Sequence, residues 1–267
     1  MDLTNARHAF ITGGASGLGL GMADALIARG IPVTIADIDA EALTQVIAAR
    51  GNSVRGQLLD VRNREAWAKA KAEAEAAFGP VDILICNAGI SPNGKEFADM
   101  VPESFDLILA INLGGVVNGV FAFAAEMRER GRGHIVVTSS QAGLVTTVAG
   151  VGAYSVAKFG VTALGEQLRR ELAPHGVGVS VLCPGFVSTN LGANTVKIGG
   201  DVRKYAGVMP ETTIVSADVG EMVAEGIEQD AAYIITHKNV WRGVEKRCAA
   251  IKEACDYRIA DVSGPKP

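Results

Sequence analysis

The stretch that most constrains the fold lies near the start of the chain. His8-Ala9-Phe10-Ile11-Thr12 has the apolar character of a buried strand, and it runs directly into Gly13-Gly14-Ala15-Ser16-Gly17-Leu18-Gly19. An apolar helical pattern through Met22, Ala25, Leu26 and Ala28 follows. Glycines in such a turn let the backbone approach a pyrophosphate closely, and the helix N-terminus offers its unpaired N–H groups to the same anion. The spacing is T-G-x-x-x-G-x-G rather than G-x-G-x-x-G. What separates a dinucleotide cradle from a plain turn is the strand before it and the helix after it.

The same alternation continues. Strand-like runs recur at 32–36, 53–59, 81–86, 134–138, 177–182 and 232–236, and helical patterns fall at about 64–78, 102–130, 154–173, 216–229 and 239–257. This order predicts an α/β chain with one Rossmann-type, doubly wound domain. About seven parallel strands, in the order 3-2-1-4-5-6-7, carry helices on both faces with right-handed crossovers. A chain of 267 residues can be one large α/β domain, and no break in composition or Pro/Ser-rich linker divides 1–267. Residues 190–215 lack clear periodicity and contain Gly192, Gly199, Gly200 and Pro210. A loop of that length in a compact domain is usually functional, so 186–215 is expected to be a substrate lid, with a short helix near 201–205.

Composition narrows the partners. A net charge of −4 with dispersed Lys and Arg argues against a nucleic-acid surface. Residues 1–7 lack the basic and apolar regions of a signal peptide, and no uninterrupted apolar run reaches membrane-spanning length, so no membrane partner is expected. Cys86, Cys183, Cys248 and Cys255 have no metal-ligand spacing and read as reduced thiols of a cytoplasmic protein that holds no metal.

In an open parallel sheet, ligands bind beyond the carboxyl ends of the strands, and polar residues collect there in this chain. Asp37 ends the second strand, 18 residues after Gly19, near the separation expected for a group binding the adenosine ribose. A carboxylate there repels a 2′-phosphate, and no Arg or Lys adjoins it or the glycine turn, which favours NAD over NADP. The other reading is a helix cap, a role open to Asp39 as well. Asp60, followed by Val61, can reach an adenine amine or cap the helix near Arg64. Asn87-Ala88-Gly89 makes a sharp bend after the fourth strand. Asn112 sits among Ile108, Ile111, Leu113, Val116 and Val117 beside Gly114-Gly115, where it either holds a backbone kink or positions a water near a lysine. Ser139-Ser140 ends the fifth strand. Tyr154 and Lys158 are four residues apart, hence on one helix face. A nearby ammonium favours a phenolate, so the tyrosine can exchange a proton with an alcohol near neutrality.

The ordered set Thr12-Gly13-x-x-x-Gly17-x-Gly19, Asn87-Ala88-Gly89, Asn112, Ser140, Tyr154-x-x-x-Lys158 and Pro184-Gly185 resembles the short-chain dehydrogenase/reductase family across nearly the whole chain. The resemblance implies a role for each residue. Tyr154 is the general acid/base, Lys158 lowers its pKa and binds the nicotinamide ribose, Ser140 polarises the substrate oxygen, and Asn112 anchors a relay water. For NAD it implies a cradle of Gly13, Ser16, Gly17, Leu18 and Gly19 steadied by Thr12, with Asp37 at the adenosine ribose and Asp60 and Val61 at the adenine. Asn87, Ala88 and Gly89 line the cofactor site with Pro184, Gly185, Val187 and Thr189, the last reaching the carboxamide or phosphates. Two departures stand out. Cys86 replaces a frequent second Asn, and Ser140 precedes Tyr154 by 14 residues where 13 is usual. Either the loop bulges by one residue or Ser139 competes, and Ser140 is preferred.

The expected reaction interconverts a secondary alcohol and a ketone. Leu144, Val145, Val148, Phe186, Leu191, Val196 and Met209 suggest an apolar pocket, and Tyr205 can stack on an aromatic ring. The stretch from 232 to 246 more loosely resembles a branch of the family that oxidises benzylic alcohols of aryl ethers. A bulky or aromatic alcohol is therefore the leading expectation, with a 3-oxoacyl, steroid or polyol dehydrogenase, or a non-catalytic NAD sensor, as alternatives. The family resemblance also implies a homo-oligomer, a dimer or tetramer packed through the helices at 102–130 and 154–173.

Overall fold

The computed structural model describes residues 1–146, 148–202 and 214–262. Seven strands form one parallel sheet: β1 (Ala9–Thr12), β2 (Val33–Asp37), β3 (Val54–Leu58), β4 (Ile83–Cys86), β5 (Gly133–Thr138), β6 (Val177–Cys183) and β7 (Tyr233–Ile235). Their order is β3-β2-β1-β4-β5-β6-β7, as expected. Register follows burial. Phe10 lies beside Thr34 and Leu84, and Ile11 beside Ile35 and Ile85.

Alternation along the strands divides the core into two halves. Phe10, Leu84, Ile135, Val137, Val179 and Val181 face one half together with Trp67, Phe123 and Leu168. These last belong to α3 (Arg64–Phe78), α5 (Gly115–Arg130) and α6 (Gly152–Leu172). Ala9, Ile11, Ile35, Ile85 and Val136 face the other half with Met22, Leu43 and Val223. Those come from α1 (Gly17–Ile27), α2 (Ala40–Arg50) and α8 (Ser216–Glu228). The inner strands β1, β2, β4, β5 and β6 are buried on both sides, which is why they read as continuous apolar runs, whereas the edge strands β3 and β7 are partly exposed.

The helix expected over 102–130 is interrupted. It comprises α4 (Pro102–Leu109), a π-helical turn over Ala110–Gly114, and α5. Asn112 lies inside that turn, the local distortion expected of a buried polar residue beside two glycines. By length and composition Pro102–Arg130 could cross a membrane, contrary to the expectation from the uninterrupted runs, but 56% of its most apolar window is buried. Ile108, Val116, Val120, Phe123 and Met127 turn into the first half-core.

Of the short helix expected near 201–205, residues 201 and 202 are not helical and 203–205 lie outside the described residues. A short helix, α7, is found instead at Leu191–Lys197. Its sequence lacks a periodic apolar face. Thr195 stabilises it from within, its hydroxyl donating to the Leu191 carbonyl at 2.7 Å and accepting from the Ser91 amide at 3.0 Å. Long-range partners of this kind carry no local signal. The last helix, α9, spans Trp241–Val262.

Candidate active site

The carboxyl ends of β1, β2, β4, β5 and β6 open into one cleft of about 680 Å³. At its base, Thr12 is 2% exposed, and its hydroxyl accepts the Asn87 and Ala88 amides at 2.9 and 3.0 Å. The Asn87 carboxamide donates in return to the Thr12 and Gly13 carbonyls. The two turns at the sheet's centre are thereby clamped together. A Cβ at Gly19 would lie 2.0 Å from the Gly13 carbonyl oxygen, so the turn closes on the helix only with glycine there. Ser16 is the N-cap of α1 and makes no side-chain cap bond, which leaves the N–H groups of the first turn to another acceptor. Ser16, Gly17 and Leu18 line the cleft at this point.

Asp37 stands at the cleft wall and accepts the Ala15 and Asp39 amides, both at 3.1 Å. Asp39, not Asp37, caps α2, through the Ala42 amide at 3.0 Å. Asp60 and Val61 also line the wall. Asp60 does not cap the next helix, a role Asn63 takes. It pairs with Arg62 at 2.5 Å, and that pair holds its carboxyl below the ordinary carboxylate range.

The other half of the cleft gathers Ser140, Tyr154 and Lys158. Both adjacent serines line the cavity, and Ser140 also caps the short turn Gln141–Gly143, accepting the Ala142 amide. The Ser139 hydroxyl is 2.8 Å from the Lys158 carbonyl oxygen and from the Thr162 hydroxyl, and the residue is 1% exposed. Lys158, 3% exposed, donates from Nζ to the Thr138 carbonyl at 2.8 Å and lies 5.6 Å from the Tyr154 ring centroid. Burial pushes its pKa down to about 8. Burial pushes the Tyr154 phenol up, and the Ser140 hydroxyl pulls it partly back. The expected lowering of the phenol by Lys158 is thus not met in the protein alone, where burial is the larger influence. Asn112 is fully buried, with Oδ1 accepting the Ile90 amide at 2.8 Å and Nδ2 donating to the Ile90 carbonyl at 3.1 Å. Asn112 thus ties the π-helical turn that contains it to the loop after β4.

Ala88, Gly89, Pro184, Gly185, Val187 and Thr189 all border the cleft, as do Val145, Val148, Phe186 and Leu191. Two expected pocket residues do not. Leu144 packs against the first half-core. Val196 is 62% exposed on the outer side of α7. Tyr205 and Met209 lie outside the described residues. Cys86 sits in the core, its Sγ 3.8 Å from the Val116 carbonyl oxygen, with burial pushing the thiol up to about 12.

Sequence reasoning missed part of the wall. Arg62, Gln141, Asn194, Asn239, Val240 and Gly243 line the cleft. Ile38 does too, and its place directly after Asp37 could have pointed to it. Asn239 to Gly243 come from the far end of the chain and had no local signature.

The profile of the short chain dehydrogenase family matches residues 7–197. The chain belongs to that family. It is 34% identical to a C alpha-dehydrogenase of Sphingobium sp. strain SYK-6, over 97% of this chain and 89% of that one. It is 38% identical to a 3-alpha-(or 20-beta)-hydroxysteroid dehydrogenase of Mycobacterium tuberculosis, over 68% of this chain and 70% of the relative. Among solved structures, a short chain dehydrogenase/reductase of Burkholderia phymatum in complex with NAD superposes with a TM-score of 0.86 at 28% identity, covering 95% of this chain and 97% of that one. The chain is therefore an oxidoreductase of a family whose members include enzymes acting on alcohols, and it resembles the Cα-dehydrogenase branch.

Proposed function

We propose that this chain is an NAD-dependent dehydrogenase/reductase that interconverts a bulky, apolar or aromatic (benzylic) secondary alcohol and its ketone. The observation that carries this reading is the meeting of Ser140, Tyr154 and Lys158 in the same cleft as the glycine turn and Asp37. The residues fit a dinucleotide. The uncapped first turn of α1 suits a pyrophosphate, and the clamp between Thr12 and Asn87 holds that turn in shape. Asp37 would take the adenosine ribose, Asp60 and Val61 the adenine, and Lys158 the nicotinamide ribose. Once bound, the nicotinamide supplies the hydride acceptor for alcohol oxidation.

The protein's own work is proton transfer and orientation. The Ser140 hydroxyl holds the substrate oxygen beside Tyr154. Tyr154, as phenolate, takes the hydroxyl proton as the carbinol carbon gives up its hydride; in reduction it returns that proton to the carbonyl oxygen. Burial opposes the phenolate, so cationic charge near the phenol must favour it, and the Lys158 ammonium across the ring face supplies part of that charge. Asn112, by binding the Ile90 amide and carbonyl, fixes the end of the 87–90 turn that lines the site.

Asp37 supports NAD over NADP. Among the described residues no ion pair neutralises it, and a 2′-phosphate would face it directly. Val145, Val148, Phe186, Leu191 and Val240 support an apolar substrate, and the Cα-dehydrogenase relative favours a benzylic one. A steroid alcohol is the second reading, favoured by the hydroxysteroid dehydrogenase relative. We further propose a homo-oligomer, with Phe121 at 66% and Val156 at 46% exposure marking an apolar face on α5 and α6. Val116, Val120 and Phe123 of the same helix are core residues and not part of that face. The four unpaired cysteines accord with a cytoplasmic setting.

The test is reduction of NAD, with NADP as control, across benzylic, steroidal, 3-hydroxyacyl and polyol alcohols. Strong benzylic turnover with NAD supports the reading. Turnover of another class alone overturns the substrate assignment and spares the catalytic one. NADH binding with no turnover of any class points to a non-catalytic sensor.

A further inference from the structure

The sequence places no cation beside Asp37, but the fold brings one to its neighbourhood from a distant part of the chain. Lys197, at the end of α7, donates from Nζ to Asp39 Oδ2 at 2.8 Å. The other oxygen of Asp39 remains the N-cap of α2, accepting the Ala42 amide. At the same helix, Asn194 Nδ2 donates to the Ser16 hydroxyl at 2.9 Å, directly at the glycine turn. Between the two, Thr195 is fully buried and bound to the Ser91 amide and hydroxyl. Helix α7 is thus anchored at its middle and touches both banks of the cleft: the pyrophosphate turn at Ser16 and the loop after β2 at Asp39. Asn194 lines the cavity together with Ser16, Asp37 and Ile38.

We infer that α7 is a strap across the adenosine half of the cofactor site, fastened by the Lys197–Asp39 ion pair, and that opening this pair gates release of the dinucleotide. Lys197 is a positioning residue, acting through the helix that carries it. The inference rests on the dinucleotide reading above. Its energetics set a scale. The Lys197 side chain is 66% exposed and that of Asp39 28%, so this is a surface pair whose loss changes a rate only a few-fold. A pair of that kind also weakens with salt.

The competing explanation is simple Coulomb attraction, in which Lys197 merely attracts an anionic cofactor. The two differ in sign at Asp39. A strap requires both partners, so Lys197→Met and Asp39→Asn each speed NADH release, and the double variant releases no faster than the faster single. Asp39→Asn keeps an N-cap side chain, so α2 is preserved. Plain attraction predicts that Asp39→Asn, by removing a negative charge, slows release. The measurement is stopped-flow displacement of NADH, followed by fluorescence, from the wild type and the three variants. The expected result is release about 2- to 5-fold faster in each single variant, the scale of one exposed pair. Wild-type release should quicken as salt rises from about 0.01 to about 1 M, and release from the variants should respond less. Amide exchange at 195–198 should quicken in the same variants without NADH. Unchanged release in Lys197→Met, or slowed or unchanged release in Asp39→Asn, overturns the strap while leaving the cofactor assignment standing. Failure of the wild type to bind NADH at all overturns the cofactor reading and the strap with it.

Discussion

Ser139 and Ser140 are adjacent and chemically identical, and the structure gives them different tasks. The Ser139 hydroxyl is committed to the Lys158 carbonyl and Thr162. Ser140 stands beside the Tyr154 phenol. Ser140→Ala is therefore expected to lower turnover by about 10²-fold, comparable to the loss in Tyr154→Phe, with NADH binding retained in both. Ser139→Ala should cost about 1–3 kcal/mol of stability through two lost buried hydrogen bonds, with turnover near the wild-type value. Steady-state kinetics with NADH titration, set beside urea melts, check both halves. The reverse pattern would show that the extra residue before Tyr154 rotates the loop and presents Ser139. At this scale the sequence was informative wherever a residue's role depended on near neighbours: the glycines of the first turn, the Tyr154–Lys158 spacing, Asn112 beside Gly114-Gly115. It was silent on the Tyr154 phenol, whose burial depends on elements from the whole sheet edge, and on Lys197, whose partner is reached only through the fold.

Between elements, the tightest contact is that of α1 against α8. A Cβ at Gly220 would lie 2.2 Å from the Gly21 carbonyl oxygen, and one at Gly21 would lie 2.2 Å from that of Ser216. The helices therefore touch backbone to backbone, and the N-terminus of α1 is part of the cofactor cradle. Gly220→Ala should push α1 and α8 apart, cost about 1–3 kcal/mol as an overpacked contact, and weaken NADH binding. A urea midpoint and an NADH titration on that variant test this, and wild-type values in both would show that the helices can slide to accept a methyl group. The strands and most helices were legible because apolar runs, glycine stops and helix starts are local signals; α3 was expected at 64–78 and is Arg64–Phe78. Helix α7 and the inward turn of Leu144 were not legible, because each is decided by contacts to segments far away in sequence.

Across the whole molecule, the edge of the sheet opposite the cleft holds buried titratable groups that set pH behaviour. His134 is fully buried, and its Nε2 is 2.9 Å from the Ser180 hydroxyl. That hydroxyl donates to the Ala231 carbonyl, so Nε2 must carry the hydrogen. Burial pushes the His134 pKa down to about 4, from an ordinary 6.5. The unfolded chain takes up this proton near pH 6.5 while the folded chain resists until about 4. Stability is thus independent of this group above that window and falls as pH drops through it, by roughly 3 kcal/mol in all. Asp82 adds a second loss at lower pH. Burial alone would raise its carboxyl, but the Arg7 hydrogen bond, the Arg7 amide and Arg132 outweigh that and hold it low. Its contribution is present above the ordinary value of 3.8 and disappears as pH falls through the lowered one. Urea unfolding at about pH 7.5 and 5 should show a marked drop that shrinks in His134→Gln; an undiminished drop would assign the effect elsewhere. Light scattering at micromolar concentration should report more than one copy, and Phe121→Glu should shift it to the monomer; a monomeric wild type would refute the proposed assembly.

The wall of the cleft has a genealogical side. Tyr154, Lys158 and the glycine turn all lie within the matched residues 7–197, whereas Asn239, Val240 and Gly243 lie outside them, at the start of α9 and just before it. Part of the wall proposed to choose the reactant is thus written on a length of the gene separable from that of Tyr154 and Lys158, although Val145, Val148, Phe186 and Leu191 lie with the latter. Exchanging the last quarter of the chain between two relatives should redirect which alcohol is accepted while the hydrogen-transfer apparatus passes through unaltered, a route by which one ancestral oxidoreductase could furnish many substrate ranges.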